Sequence, residues 1–156
     1  MVNALTRERI TDRGGSLVGE YVYTVGNAGE RLSVEEAGGR KATWAYDGLY
    51  RLTGETVTEN GTTSVKSYAY DAAGNRVSKS VGGATTSYTY NRLNQLTGET
   101  SASGDVTYTY DAAGNRTKKV SGNRTTTFAY DEFNRLTRAT VQEGANVAVE
   151  EYGYDW

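Results

Sequence analysis

Five aspartates recur in near-identical settings along this chain. Asp47, Asp71, Asp111, Asp131 and Asp155 each follow a tyrosine directly: Tyr46, Tyr70, Tyr110, Tyr130 and Tyr154. Carboxylates held in pairs are the groups of general acid–base catalysis and of hard-cation binding. Asn91, after Tyr90, takes the equivalent place in a further copy. An amide cannot serve as a catalytic acid, yet it accepts backbone N–H groups at the start of a turn as an aspartate does. That exchange favours a turn cap over a catalytic or Ca²⁺-binding carboxylate. Arg51, Arg76, Arg116 and Arg135 come just after the same turns. Pairing with the nearby aspartate, or covering a tyrosine face, is preferred for them over binding an acidic ligand.

The rest of the composition narrows the chemistry further. There is no His and no Cys, which removes the commonest general base, zinc thiolates, disulfides and a cysteine nucleophile. Ser and Thr are abundant, but no Ser-x-x-Lys pattern supplies an activating base. EF-hand and Gly-rich Ca²⁺ nonapeptide patterns are absent. The expectation is no catalytic residue, no metal and no cofactor. With 17 basic and 19 acidic residues interspersed, no basic block suggests nucleic acid. No apolar run is long enough to cross a membrane as a helix, and "MVNALTRERITD" lacks the apolar core of a signal peptide.

What must position these residues is a repeat. The tyrosines Tyr23, Tyr46, Tyr70, Tyr90, Tyr110, Tyr130 and Tyr154 lie 23, 24, 20, 20, 20 and 24 residues apart. Each is preceded two positions earlier by another aromatic: Tyr21, Trp44, Tyr68, Tyr88, Tyr108, Phe128 and Tyr152. A spacing of two puts both rings on one face of a strand, and the Thr, Ser, Val and Ala around them suit strands. After each triplet comes a turn. In "DAAGN", Asp71 or Asp111 suits the first position of a type I turn, and Gly74 or Gly114 supplies the left-handed residue of a G1-bulge hairpin. Asn75 and Asn115, then Arg76 and Arg116, follow.

Asn134 in "DEFN" and Asn94 in "NRLN" take the left-handed place. In "DGLY" the same place falls on Tyr50, whose strain predicts a turn shifted by Gly48. A second set of breakers ends the following strands: Gly38-Gly39, Asn60-Gly61, Gly82-Gly83, Gly104-Asp105, Gly122-Asn123 and Gly144-Ala145-Asn146. Gly54 and Gly98, within strands, predict bulges or a large side chain crossing the backbone. With a first strand near Ala4–Asp12, the expectation is an all-β antiparallel meander of repeated β-hairpins, about 14 short strands. At about 4.8 Å per strand it is roughly 65 Å wide, and sheets that wide curl.

"YDAAGNR", present at 70–76 and 110–116, and "YDEFNRLT" from Tyr130 resemble the tyrosine-aspartate (YD) repeats of the Rhs family. That family takes in bacterial Rhs and wall-associated proteins, the C component of insecticidal toxin complexes, and the animal teneurins. The resemblance runs from about Tyr21 to Trp156. It implies a sheet that spirals into a hollow shell, of which residues 1–156 form a single curled section of about seven units. It also implies enclosure of a C-terminal toxin, or a scaffold at the cell surface. The Pro-, Asp- and Gly-rich core segment that closes bacterial shells has no counterpart here, as the chain contains no proline. The chain therefore reads as a stretch of wall whose partners are the remaining repeats and the cargo of a parent protein, secreted or cell-surface and of bacterial origin. Self-association through edge strands is a further expectation. The alternative is a carbohydrate-binding module, since tyrosine faces bordered by Asp, Asn and Arg also suit sugars.

Overall fold

The computed structural model describes residues 5–155. Ala4 and Trp156, which the expectations above include, lie outside them. The described residues contain no helix. The strands are β1 (Arg7–Thr11), β2 (Leu17–Val25), β3 (Arg31–Glu36), β4 (Lys41–Tyr46), β5 (Leu52–Glu59), β6 (Thr62–Tyr70) and β7 (Arg76–Val81). They continue as β8 (Ala84–Tyr90), β9 (Leu96–Ser101), β10 (Gly104–Tyr110), β11 (Arg116–Ser121), β12 (Arg124–Tyr130), β13 (Leu136–Glu143) and β14 (Asn146–Glu151). Strand order follows chain order from β1 to β14, an open all-β meander.

The chain divides into two compact units, one reaching to Ala69 with Ser78–Ala84, the other made of Tyr70–Val77 and the chain from Thr85 on. In the first, successive strands from β1 to β6 pair antiparallel. One row of side chains runs straight across it, from Tyr23 through Val34 and Ala42 to Val57. In the second, strands β8 to β14 pair antiparallel. One of its rows is Tyr108–Lys119–Thr126–Val141–Ala148. Such cross-strand rows are what stabilise a sheet, each pair contributing roughly 0.2–1 kcal/mol.

Alternation is plain in β8, where Tyr88 and Tyr90 are half-buried while Ser87 and Thr89 are exposed. Strands β10 and β12 repeat it. Among the described residues only Val34, Ala42 and Tyr108 are buried apolar residues. The core of each unit is thus the aromatic face itself.

Two kinds of turn join the strands. In the five-residue turn the first N–H donates to the fifth carbonyl, and the fourth N–H donates to the first carbonyl. It occurs at 12–16, 26–30, 36–40, 47–51, 71–75, 91–95, 111–115 and 131–135. Its fourth residue has positive φ: Gly74 and Gly114 at 91°, Asn94 at 59° and Asn134 at 60°. Two-residue turns lie at 60–61, 82–83, 102–103, 122–123 and 144–145.

Several expectations change at the turns. Tyr50 itself takes the left-handed place, at φ 58°, and Gly48 does not move the turn. Gly38-Gly39 belongs to a five-residue turn running from Glu36 to Arg40, with only Gly39 at positive φ. The turn before β10 lies at Ala102-Ser103, so Gly104 opens the strand at φ 119° instead of forming the turn with Asp105. Asn146 likewise opens β14. The register slips at Thr53 and Thr97, one residue before Gly54 and Gly98. Gly98 instead makes room for a small side chain, since a Cβ there would stand 2.8 Å from Thr89 Oγ1.

Candidate functional site

At the five-residue turn, charged side chains recur in fixed geometry. Asp47 Oδ1 accepts the N–H of Leu49 at 2.9 Å and of Arg51 at 3.0 Å. Asp131 Oδ1 accepts those of Phe133 and Arg135, both at 2.9 Å. Asn91 Oδ1 does the same for Leu93 at 2.9 Å and Gln95 at 3.1 Å. In the two "DAAGN" turns Oδ1 of Asp71 and of Asp111 accepts the fifth residue's N–H at 2.8 Å. Bending the chain this tightly aims these amides inward, and the first side chain satisfies them.

The fifth residue then complements whatever stands first. Oδ2 of Asp47 takes Arg51 Nε at 2.6 Å, and Oδ2 of Asp131 takes Arg135 Nε at 2.7 Å. Oδ2 of Asp71 takes the Asn75 amide at 2.9 Å, and that of Asp111 takes Asn115 at 3.0 Å. Where Asn91 replaces the aspartate the polarity reverses, and its amide donates to Gln95 Oε1 at 2.6 Å. A further inversion occurs at 26–30. Gly26 offers no side chain, a Cβ there would overlap the Glu30 carboxylate, and Glu30 Oε2 accepts the Ala28 N–H at 3.0 Å. Neighbouring turns also join, Asn75 donating to Asn94 Oδ1 at 2.9 Å and Asn115 to Asn134 Oδ1 at 2.8 Å.

The carboxylates of Asp47, Asp71, Asp111 and Asp131 are held below the ordinary aspartate value. For Asp47 and Asp131 the largest cause is the backbone N–H of Arg51 or Arg135. For Asp71 and Asp111 it is the side-chain amide of Asn75 or Asn115. Carboxylates in this condition are anionic at neutral pH and carry no proton to donate. Asp155 follows Tyr154 beyond β14, exposed and outside any five-residue turn among those above. No cluster of three potential metal ligands occurs among the described residues.

The recurring tyrosines close the strand ends. Tyr110 donates its hydroxyl to the Leu96 carbonyl at 2.8 Å, and Tyr90 and Tyr130 donate to Arg76 and Arg116 at 2.9 and 3.0 Å. Tyr46 and Tyr154 do the same to Arg31 and Leu136, at 2.9 and 2.7 Å. Each acceptor is the opening residue of a strand. The β9/β10 ladder stops at Gly98–Thr107 and the β11/β12 ladder at Lys118–Thr127, so the carbonyls of Leu96 and Arg116 lie past the last rung. The phenol supplies their partner. Tyr70, for its part, ends β6 directly before the 71–75 turn.

The rings themselves are also covered. Arg76 lies over Tyr88 at 4.8 Å, Arg116 over Phe128 at 4.9 Å and Arg135 over Tyr154 at 4.7 Å. Between the rings stand two carboxylates of the same face. Glu55 takes Lys66 at 2.6 Å and Trp44 Nε1 at 3.3 Å. Glu99 accepts the Tyr108 hydroxyl at 2.6 Å, and burial, with that carboxylate, pushes the Tyr108 phenol up to about 12. These are bonds that hold strands in register, with donors and acceptors matched.

Fold and turn together define a class: a β-hairpin repeat protein whose units are closed by a capped turn and a tyrosine clasp. Residues 70–106 and 90–126 match the RHS Repeat family model, so the chain carries Rhs, or YD, repeats over that stretch. It is similar to the TcdB2-TccC3-Cdc42 crystal structure, with a TM-score of 0.73 and 23% identity over 91% of this chain and 9% of that one. The TcdB2-TccC3-TEV crystal structure aligns with a TM-score of 0.69 and 26% identity, over 81% of this chain and 7% of that one. A Photorhabdus luminescens Tc holotoxin pore carrying a mutation in TccC3 aligns over 96% of this chain and 12% of its own, with 19% identity and a TM-score of 0.63. The chain therefore spans only a small part of the length of the proteins it resembles. No curated protein sequence matches it.

Proposed function

We propose that the chain is a wall segment of a β-shell built by Rhs repeats in a longer parent protein, and that its role there is architectural. Residues 1–156 act as one repeat segment, whose partners are the flanking repeats and a C-terminal toxin cargo that the shell encloses. The parent is secreted or displayed at the cell surface, as the likeness to a holotoxin suggests. The segment catalyses nothing.

The observation that carries this reading is the equivalence of the turns. Catalysis needs a group whose setting differs from its copies, whereas Asp47, Asp71, Asp111 and Asp131 all cap backbone amides in the same way. The aromatic face gives no particular support to sugar binding, since arginines already lie over Tyr88, Phe128 and Tyr154. The test uses the full-length parent, intact or with residues 71–110 excised so that Tyr70 runs directly into Asp111. Limited proteolysis should spare the cargo of the intact protein and digest that of the shortened one. A cargo equally open to protease in both would overturn the enclosure.

A further inference from the structure

One of the hairpin connectors carries chemistry of its own. Asn60-Gly61, joining β5 to β6, is the only Asn-Gly dipeptide in the chain. An asparagine side chain is a carboxamide, open to attack at Cγ by the main-chain nitrogen of the residue that follows. Glycine hinders that approach least, since it has no Cβ. Both residues are exposed, and neither the Asn60 side chain nor the Gly61 N–H has a hydrogen-bond partner among the described residues.

The other asparagines of the described residues are held or crowded. The N–H that follows Asn27, Asn94 and Asn134 is donated to Glu30, Asn91 and Asp131. The amide nitrogens of Asn75, Asn91 and Asn115 are occupied within their own turns. Asn123 and Asn146 precede Arg124 and Val147, whose side chains hinder the attacking nitrogen. Asp47-Gly48, the comparable acidic dipeptide, has both carboxylate oxygens engaged by Leu49 and Arg51.

The closed turn restrains even Asn60. With Asn60 at φ 50° and Gly61 at φ 75°, the connector is the type I′ turn that suits a two-residue hairpin. As the mirror image of type I, it directs the Gly61 nitrogen away from the Asn60 side chain. Attack requires rotation about Asn60 ψ, which the pairs Glu59–Thr62 and Thr58–Thr63 oppose. The Thr58 and Thr63 hydroxyls also meet at 3.0 Å.

We propose that Asn60 is a self-modification site, converted to aspartate and isoaspartate when the β5–β6 hairpin opens. The Gly61 nitrogen gives its proton to hydroxide and attacks Asn60 Cγ. The Cγ–Nδ2 bond breaks, and ammonia leaves with a proton taken from water. Water then opens the cyclic imide, so that overall one water is consumed and one ammonia released. Opening at Cγ leaves aspartate, which the same turn accepts. Opening at the main-chain carbonyl leaves isoaspartate, whose backbone runs through Cβ and Cγ and is one carbon longer. Since the turn sets a hairpin's register, the longer connector no longer holds Glu59 opposite Thr62.

The test is mass spectrometry of the purified chain held at mildly alkaline pH, beside a linear peptide of sequence VTENGTTS, residues 57–64. The chain should gain the mass of an amide-to-carboxyl exchange first at Asn60, as both products. The peptide should convert faster. The chain's rate should climb with urea towards the peptide's, because an opened segment reacts in proportion to its population. Asn60→Gly rebuilds the Gly82-Gly83 connector with its two positive φ values. That variant should lose the first mass gain and keep the wild-type circular dichroism spectrum. Earlier conversion of any other asparagine, or a folded chain that converts as fast as the peptide, overturns the proposal.

Discussion

The second aromatic of every triplet is tyrosine, whereas the first varies among Tyr, Trp and Phe. The hydroxyl accounts for the difference, and strand β8 allows a direct comparison. Tyr90→Phe deletes the bond to the Arg76 carbonyl at 2.9 Å without changing the buried ring. One such bond contributes about 0.5–1.5 kcal/mol net, and more when the abandoned acceptor is dry. Tyr90 is half-buried, so water reaches the freed carbonyl and the expected cost is about 1 kcal/mol. Tyr88→Phe, two residues earlier, keeps the ring under Arg76 and should cost nothing measurable. Phe128 already stands at the equivalent place in β12.

Stability in a repeat array is local, so amide exchange in β7 and β8 is the appropriate assay, alongside urea denaturation. A loss of about 1 kcal/mol raises local opening about five-fold. Tyr110→Phe and Tyr130→Phe should behave likewise. Leu96, the acceptor of Tyr110, pairs with Tyr90, and Arg116, the acceptor of Tyr130, pairs with Tyr110, so the three changes should couple instead of simply summing. Equal effects of Tyr88→Phe and Tyr90→Phe, or none from either, would refute the clasp.

The turns supply the remaining predictions. Gly114→Val, at φ 91°, should cost about 1–2 kcal/mol in urea denaturation, because a β-branched residue resists left-handed geometry. Gly26→Asp alone sets a second carboxylate against Glu30 and should destabilise. Adding Glu30→Arg rebuilds the Asp–Arg turn of 47–51, so a double-mutant cycle should show favourable coupling. Asp47, Asp71, Asp111 and Asp131 are depressed in the folded chain. Their stabilisation is therefore complete above the unfolded aspartate value, near 4. It is lost as pH falls below that through the lower folded values. Urea midpoints should accordingly be level across neutral pH and fall below about pH 4.

Period and spacing made the strands legible, because a ring at every second position leaves little choice of face. The cap was legible too, through the Asp-to-Asn exchange at Asn91. Tyr50 was misjudged by weighing local strain alone. A left-handed residue costs about 1–2 kcal/mol. Against that stand two backbone bonds, two amides on Asp47 Oδ1 and the Arg51 pair, which together hold the turn in place. The hydroxyl clasps are not legible in the sequence because donor and acceptor are 14 to 18 residues apart, and the link exists where ladders stop short. The Asn75–Asn94 bond spans 19 residues and depends on how adjacent turns stack. Glu30 was invisible because it caps from the opposite end of its turn.

The central claim is that the recurring aspartates serve as hydrogen-bond acceptors in turns and not as chemical groups. Far-UV circular dichroism with urea denaturation of a chain carrying Asp47→Asn, Asp71→Asn, Asp111→Asn and Asp131→Asn tests it most directly. Asparagine keeps the Oδ1 acceptor, as Asn91 does already. The account predicts a wild-type spectrum at neutral pH, with the fall in stability below about pH 4 much reduced. A chain unfolded at neutral pH, or one with an undiminished acid transition, would contradict it.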